Sequence, residues 1–238
     1  MALQLSNSSP PKVIFLDAMG TLFGLKKSVG EIYQQVASEY GVEIDAQRLN
    51  NAFINSFKAA PPLAFLEPKL TSLSQLEFMW WRNVVQTTFE RVEAVDKFSN
   101  FADFFQEIYS YFATEKPWYV YPDVVPCLHN WQQQGVELGV ISNFDSRLNQ
   151  VLKALDLEQF FTSITISSVA GFAKPDQNIF EIALKKHGFM AQQAWHIGDN
   201  QNEDYQGATA AGIKAFWLNR DCYLLNIENQ LPNLSSLG

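Results

Sequence analysis

A short apolar run that ends in an aspartate and a glycine-containing turn constrains the fold more than any other feature. Residues 13–16 read Val-Ile-Phe-Leu, and Asp17, Ala18, Met19 and Gly20 follow at once. A short run that is apolar at every position and is stopped by a turn is typical of a strand buried in a parallel sheet. A carboxylate at the end of such a strand lies where open α/β sheets bind their ligands. Asp17 is therefore a candidate covalent nucleophile.

The chain after residue 122 alternates between strand and helix patterns. Apolar runs typical of strands occupy residues 136–141, 163–167, 194–197 and 214–218, with helical segments between them. Strands that alternate with helices imply right-handed crossovers and a parallel sheet. The sequence therefore predicts an α/β fold with a doubly wound, mostly parallel, Rossmann-like sheet.

Residues 25–117 interrupt this alternation with a block of helical patterns that is rich in aromatic residues. Such aromatic density is typical of the core of a helical bundle. Trp80, Trp81 and Arg82 could face a catalytic site, but packing within the bundle is the preferred interpretation. We predict a helical cap over residues 25–117, inserted into an α/β core formed by residues 1–24 and 118–238.

Composition narrows the possible partners and the compartment. The 238 residues are 47% hydrophobic, enough for a packed core, and carry a net charge of −8 that argues against nucleic-acid binding. Cys127 and Cys222 are too few and too far apart for a disulfide framework or a metal site. The first twelve residues do not resemble a signal peptide, and no run is long enough to cross a bilayer. We expect a soluble, cytoplasmic protein without a membrane partner.

Four polar motifs fall at the ends of predicted strands. They are Asp17 to Thr21, Ser142-Asn143, Lys174-Pro175-Asp176, and Gly198-Asp199 with Asp204 beyond. Because the carboxyl ends of parallel strands share one edge of a sheet, we expect these motifs to meet there. Carboxylates, hydroxyl and amide donors and one ammonium suit phosphoryl transfer. Asp17 and Asp199 could share a hard cation, for which Mg²⁺ is the preferred candidate.

Polar residues near the motifs are expected to be structural. Asp123 could cap the helix that begins there, and Asp145 could pair with Arg147 at a helix entry. His196 lies in a predicted strand without a partner at ligand spacing, and His129 and His187 also lack one.

The four motifs, in this order, resemble those of the haloacid dehalogenase superfamily over the whole chain except its tail. The helical block resembles the C1-type cap of that superfamily. Residues 141–145, 196–200 and 204–208 are similar to motifs of the group called haloacid dehalogenase-like hydrolase domain-containing protein 3.

This resemblance implies roles for the catalytic and substrate-binding residues. Asp17 would be the nucleophile, and Lys174 would hold the charge of nucleophile and substrate. Thr21 and Ser142 would bind substrate oxygens. Asn143 is a further candidate for substrate binding, with fixing of the loop as the alternative.

The resemblance also implies a Mg²⁺ site and exposes a departure from the superfamily pattern. Asp17, Asp199 and the backbone carbonyl of Met19 would bind the ion, and Asp204 would support the site. Position 19 usually carries an aspartate that acts as general acid and base. A thioether cannot transfer protons, and such transfer contributes roughly 10²–10⁴-fold to a rate.

The missing carboxylate leaves three functions open. The preferred one is Mg²⁺-dependent hydrolysis of a small phosphorylated metabolite whose leaving group needs no proton, such as an acyl phosphate or a phosphonate. The second is metal-independent 2-haloacid dehalogenation, since those enzymes also lack the second aspartate. The third is a weakened member that binds a ligand or partner. Phosphonate cleavage would use a cap lysine, for which Lys26, Lys27, Lys58 and Lys69 are available. The sequence predicts neither the substrate nor the oligomeric state.

Overall fold

A six-stranded parallel sheet forms the centre of the computed structural model, which describes residues 10–66, 72–221 and 229–237. Its strands are β1 (Val13–Leu16), β4 (Glu137–Ser142), β5 (Ser163–Ile166), β6 (Ala194–Gly198), β7 (Lys214–Leu218) and β8 (Gln230–Leu231). They lie in the order β5-β4-β1-β6-β7-β8. Leu16 lies opposite both Val140 and Ile197, so that β1, β4 and β6 end at the same edge. The predicted α/β fold with a mostly parallel sheet is confirmed.

Helices cover both faces of the sheet. They are α5 (Val124–Gln133), α6 (Leu148–Ala154), α7 (Ser167–Ala170), α8 (Gln177–His187), a π-helical turn (Gln201–Gln206) and α9 (Gly207–Ala210). Successive residues of a strand point to opposite faces. Ile14 and Leu16 therefore pack in one apolar cluster with α5 and α6, whereas Val13 and Phe15 pack in another with α8 and α9. This burial on both faces explains why β1 is apolar at every position.

A helical insert leaves the core after β2 (Phe23–Leu25) and returns at β3 (Trp118–Val120). Its helices are α1 (Val29–Glu39), α2 (Ala46–Ala59), α3 (Leu73–Arg91) and α4 (Phe101–Tyr111), with a short 3₁₀ turn at Val95–Lys97. They surround an apolar cluster of their own, in which Phe89, Phe104 and Phe105 are fully buried. The aromatic pattern therefore forms the core of a helical bundle, as expected.

The root of the helical insert was not visible in the sequence. β2 and β3 pair antiparallel, but each has only three residues, too few for a clear strand pattern. Leu25 and Phe112 pack against the clusters of both the insert and the core, which makes this junction apolar. The domain boundaries at residues 24/25 and 117/118 stay a prediction.

Within the described ranges, no helix is both long and apolar enough to cross a membrane. Cys222 and Lys69, named above as a cysteine and as a candidate cap lysine, lie outside the described residues.

Candidate active site

The first, third and fourth motifs meet at the carboxyl edge of the sheet around the ammonium of Lys174. Its Nζ donates to Asp17 Oδ1 at 2.6 Å, to Asp204 Oδ1 at 2.5 Å and to the carbonyl of Ile141 at 2.9 Å. Lys174, Asp17 and Asp204 are all buried. Burial strengthens the attraction between the ammonium and each carboxylate, because little water screens the charges.

Asp199 completes a cluster of three carboxylates. One oxygen from each of Asp17, Asp199 and Asp204 lies within 4.8 Å of the others. The carboxylate of Asp199 rests against the Cα of Gly20, where a side chain of any other residue would collide with it. Gly20 also has a φ of +89°, a left-handed conformation that favours glycine. The turn after Asp17 therefore requires glycine for two separate reasons.

Asp204 is held from several sides by the protein itself. In addition to Lys174, His196 Nε2 lies 2.9 Å from Asp204 Oδ1, and the backbone N–H of Asn200 donates to Oδ2 at 3.0 Å. The carboxylate packs directly over Gly198, which has no side chain to obstruct it. Asp204 lies in the π-helical turn, a geometry often found at functional sites. These bonds suit a supporting role for Asp204 beside the other two carboxylates.

The pKa values of the site reflect burial first and the charges of neighbouring groups second. Burial raises the pKa of Asp17, an effect that Lys174 opposes. Although Asp199 is exposed as a residue, desolvation of its carboxylate and repulsion from Asp17 raise its pKa to about 7. Burial alone would raise the pKa of Asp204, but Lys174 and His196 hold it below its usual range. Burial would likewise lower the pKa of Lys174, yet Asp17 and Asp204 raise it. A cation beside Asp17 and Asp199 would relieve the repulsion.

The second motif contacts the third through Asn143. The side-chain amide donates to the carbonyl of Lys174 at 2.9 Å and to Glu203 Oε2 at 3.0 Å, and its oxygen accepts from the Lys174 N–H at 2.7 Å. Asn143 therefore fixes the backbone of Lys174, which matches the alternative role stated above. Ser142 is buried at the last position of β4 beside this contact. Its binding of substrate stays a prediction.

Thr21 and Met19 flank Gly20 in different environments. Thr21 is fully buried, and its Oγ1 has no hydrogen-bond partner in the described structure. Met19 has 47% of its surface exposed and bridges to Phe23. The position of the usual general acid is therefore occupied by a thioether side chain, which is exposed to solvent but has no proton to donate.

Arg220 is a residue near the site that sequence reasoning missed. Its guanidinium donates to the carbonyls of Thr21 at 2.8 Å and Gly20 at 3.3 Å, and it stacks 3.8 Å from the ring of Tyr121. It also binds both oxygens of Asp123 at 3.0 and 3.1 Å. Arg220 thereby holds the turn after Asp17 from behind. Its contacts are about 100 and 200 residues distant in sequence, so no local pattern could indicate them.

The expectation that the side chain of Asp123 caps a helix is wrong. Asp123 stands at the position before α5, but its carboxylate makes no capping bond. Its Oδ2 instead accepts the N–H of Leu234 at 2.7 Å, in addition to binding Arg220. The half-buried Arg220 competes successfully for the carboxylate because both partners are charged.

The described cap lysines bind elsewhere or face solvent. Lys26 Nζ donates to the carbonyls of Glu115 and Lys116, and Lys27 Nζ donates to the side chain of Gln35. Lys58 is exposed in the last turn of α2. These contacts give no support to a phosphonate-cleaving lysine among the three.

Solved structures with the same architecture are hydrolases of the HAD class. A HAD phosphatase from Thermococcus onnurineus matches with a TM-score of 0.66 and 17% identity over 95% of both chains. The HAD-hydrolase YfnB from Bacillus subtilis, bound to magnesium, matches with a TM-score of 0.70 and 18% identity over 96% of this chain and 97% of that one. A 2-haloacid dehalogenase from Pseudomonas syringae pv. Tomato matches with a TM-score of 0.62 and 20% identity over 95% and 96%. At these identities the likeness shows the fold alone.

The sequence itself matches the family described as haloacid dehalogenase-like hydrolase over residues 11–212. The chain therefore belongs to this hydrolase family. It is 32% identical over 208 residues to the human haloacid dehalogenase-like hydrolase domain-containing protein 3, covering 86% of this chain and 80% of that protein. It is 30% identical over 216 residues to the protein of the same name from Danio rerio, covering 89% and 86%. The resemblance inferred from the four motifs is confirmed.

Proposed function

We propose that this hydrolase cleaves a small phosphorylated metabolite in a Mg²⁺-dependent reaction with Asp17 as the nucleophile. The observation that carries the proposal is the cluster of Asp17, Asp199 and Asp204, whose oxygens lie within 4.8 Å of one another beside Lys174. Three carboxylates beside one ammonium leave a local excess of negative charge. A site that must also receive an anionic phosphate needs a further cation.

The donor set suits Mg²⁺. Carboxylate oxygens are the ligands that this ion prefers, and Asp17 and Asp199 would hold it. Asp204 would support them from behind, since its oxygens already accept bonds from Lys174, His196 and Asn200. When bound, the ion would reduce the repulsion between the carboxylates and the phosphate.

The chemical step would then rest on residues of this chain. A carboxylate oxygen of Asp17 attacks phosphorus, the bond from phosphorus to the leaving oxygen breaks, and the leaving group takes the electron pair. Lys174, which binds Asp17 Oδ1, orients the carboxylate and balances charge on the phosphoryl oxygens. Water then attacks phosphorus, the bond from phosphorus to the Asp17 oxygen breaks, and Asp17 leaves as a carboxylate while both protons of the water stay with the released phosphate.

Met19 restricts the substrate class. No proton donor stands at its position, so the leaving group must depart as an anion of low basicity. Acyl phosphates meet this requirement because a carboxylate leaves without protonation. We therefore favour an acyl phosphate or a similarly activated phosphate as the substrate. A cytoplasmic small molecule is the proposed partner, and the net charge of −8 argues against nucleic acid.

The second candidate is 2-haloacid dehalogenation. Met19 favours it because halide departs without a proton. Asp199 argues against dehalogenation. Its carboxylate lies beside that of Asp17 with a pKa raised to about 7, an arrangement that suits a bound cation, and metal-independent dehalogenation needs none.

A screen for phosphate and chloride release separates the two candidates. Acetyl phosphate, sugar phosphates and p-nitrophenyl phosphate are tested with Mg²⁺ and with chelator, and 2-chloropropionate is tested in parallel. We expect Mg²⁺-dependent phosphate release that is fastest with acetyl phosphate and is abolished in Asp17→Asn. The matched control is Asp176→Asn, since Asp176 caps α8 and asparagine caps equally well. Chloride release in the presence of chelator, or release of neither phosphate nor chloride from any substrate, would contradict the proposal.

A further inference from the structure

A second buried polar cluster joins the helical insert to the loop that follows β4. We call it the seam cluster; its members are Glu77, Trp81 and Tyr109 from the insert and Asp145, Ser146, Arg147 and Ser168 from the core. No residue of this cluster belongs to the four motifs around Asp17.

Glu77 is a fully buried carboxylate of α3 whose hydrogen bonds all cross to the core. Its Oε1 accepts the backbone N–H of Ser146 at 2.9 Å and Ser168 Oγ at 2.6 Å, and its Oε2 accepts Ser146 Oγ at 2.5 Å. A buried carboxylate is costly unless its oxygens are bonded. Glu77 is therefore satisfied in the dry interior only while the insert rests on the core.

Trp81 makes a matching contact one helical turn later. Its indole Nε1 donates to Asp145 Oδ2 at 2.5 Å, and Asp145 is fully buried. Arg147 binds both oxygens of Asp145, donates to the carbonyl of Tyr109 at 2.7 Å and stacks 3.7 Å from its ring. The expected pairing of Asp145 with Arg147 is present, and the pair is enclosed by the insert.

The loop of residues 142–147 reaches both the seam cluster and the active site. Ser142 stands at its start, and Asn143 binds the backbone N–H and carbonyl of Lys174. Asp145 and Ser146, two and three residues further along, bind the insert. A displacement of the insert would therefore act on the same short segment that fixes the catalytic lysine.

We propose that Trp81 and Glu77 are positioning residues, which couple the seating of the helical insert to the placement of Ser142 and Lys174. This inference rests on the function proposed above for that site. Trp81 and Glu77 touch neither the carboxylate cluster nor the lysine and act only through the loop of residues 142–147.

The chemistry of the seam suits a contact that opens and closes. Water can replace each of its hydrogen bonds when the insert lifts, so opening exposes groups that solvate well. The root of the insert, where Leu25 and Phe112 pack against both clusters, is apolar and resists separation. The insert would therefore rotate about its root, and the hydrogen bonds of the seam cluster would form only when the insert is closed on the core.

Two adjacent tryptophans provide a matched test. Trp81 Nε1 donates across the seam to Asp145, whereas Trp80 Nε1 donates at 2.9 Å to the carbonyl of Pro61 within the insert. Trp81→Phe and Trp80→Phe remove the same indole N–H and the same ring area. For acetyl phosphate hydrolysis with Mg²⁺, we expect Trp81→Phe to lower kcat at least about tenfold, since a hydrogen bond to a buried carboxylate is lost. We expect Trp80→Phe to keep kcat within about twofold of wild type, even if both variants melt at a lower temperature.

Amide hydrogen exchange gives a readout that does not need turnover. Trp81→Phe should lose protection in residues 142–147 and at Lys174, and Trp80→Phe should not. If the wild-type enzyme hydrolyses neither acetyl phosphate nor any other phosphorylated compound, the proposed function fails while exchange still tests the coupling. Equal kcat in the two variants of an active enzyme, or equal exchange at the loop, would overturn the inference.

Discussion

The seam cluster and the carboxylate cluster at the sheet edge are both buried and charged, but they differ in how their carboxylates are satisfied. In the seam, Glu77 accepts three hydrogen bonds and Asp145 accepts four, all from protein. At the sheet edge, Asp199 lies beside two other carboxylates and its pKa is raised to about 7. Saturated buried charge is what a structural contact needs, whereas carboxylates crowded together beyond their partners suit the binding of a cation.

Removing the cation from each cluster should produce the largest effects and separate the two. Lys174→Met leaves Asp17 and Asp204 without their ammonium, and Arg147→Met leaves Asp145 buried without its guanidinium. Loss of one partner of a buried ion pair typically costs about 3–5 kcal/mol, so both variants should be clearly destabilised. Mg²⁺ should raise the melting temperature of Lys174→Met more than that of wild type, because the ion replaces part of the lost charge.

Arg147→Met serves as the control in this comparison. Its carboxylate cluster is intact, so Mg²⁺ should shift its melting temperature by the same amount as in wild type. Thermal unfolding with and without Mg²⁺ measures both variants. Equal Mg²⁺ shifts in Lys174→Met and Arg147→Met would mean that the two clusters do not differ in the way described.

Met19→Asp tests whether the active site lacks only a proton donor. The substitution should raise kcat/KM for a sugar phosphate relative to acetyl phosphate at least about tenfold, because only the alkoxide leaving group gains from protonation. Met190→Asp is the control, since Met190 is also exposed and precedes β6 at the opposite edge of the sheet. An unchanged ratio in Met19→Asp would show that the missing carboxylate does not limit this enzyme.

The smallest expected effect is the pH dependence of the metal-free protein. The pKa of Asp199, about 7 in the folded state, exceeds the ordinary value of about 3.9, so the folded protein binds this proton more tightly. Stability from this group is present at low pH and lost as the pH rises towards 7. Because Asp199 is exposed, solvent screening should limit the loss to about 1 kcal/mol, or about 2–4 °C in melting temperature.

Melting curves in chelator between about pH 5 and pH 8 measure this loss. Asp199→Asn should flatten the dependence, whereas Asp176→Asn, outside the cluster, should retain it. If the melting temperature depended on pH equally in Asp199→Asn and wild type, Asp199 would not be the group responsible for the loss.

The contrast between the clusters also explains what the sequence could predict. Five strands of the sheet are mostly apolar runs of four to six residues whose periodicity and spacing are local, whereas β8 has only two residues and was not predicted. Asp17 and Asp199 directly follow β1 and β6, so their meeting at one edge of the sheet could be inferred from the topology. The motif of Lys174 was also expected at a strand end, but Lys174 lies beyond both β5 and α7, and Asp204 lies in the π-helical turn. The sequence indicates a parallel sheet but not the order of its strands, and the roles of these residues stay a prediction.

Contacts between distant segments could not be predicted. Glu77 and Ser146 are separated by 69 residues, and Arg220 and Thr21 by 199. Neither pair lies on one element, so no periodicity connects its members. His196 was correctly placed in a strand, but its contact with Asp204 depends on the π-helical turn, which has no sequence signal of its own. The topology therefore predicts that motifs meet at this edge, whereas the contacts that hold their residues there depend on tertiary packing.

The most direct test of the claim that Asp17 is the nucleophile is the mass, during turnover, of the peptide that contains Asp17. The enzyme is quenched in acid while hydrolysing acetyl phosphate with Mg²⁺, and the peptide that contains Asp17 is analysed by mass spectrometry; a second sample uses 2-chloropropionate in chelator. We predict a phosphoryl group on Asp17 in the first sample and an unmodified Asp17 in the second. An unmodified Asp17 during phosphate release, or an organic ester on Asp17 in the second sample, would contradict the account.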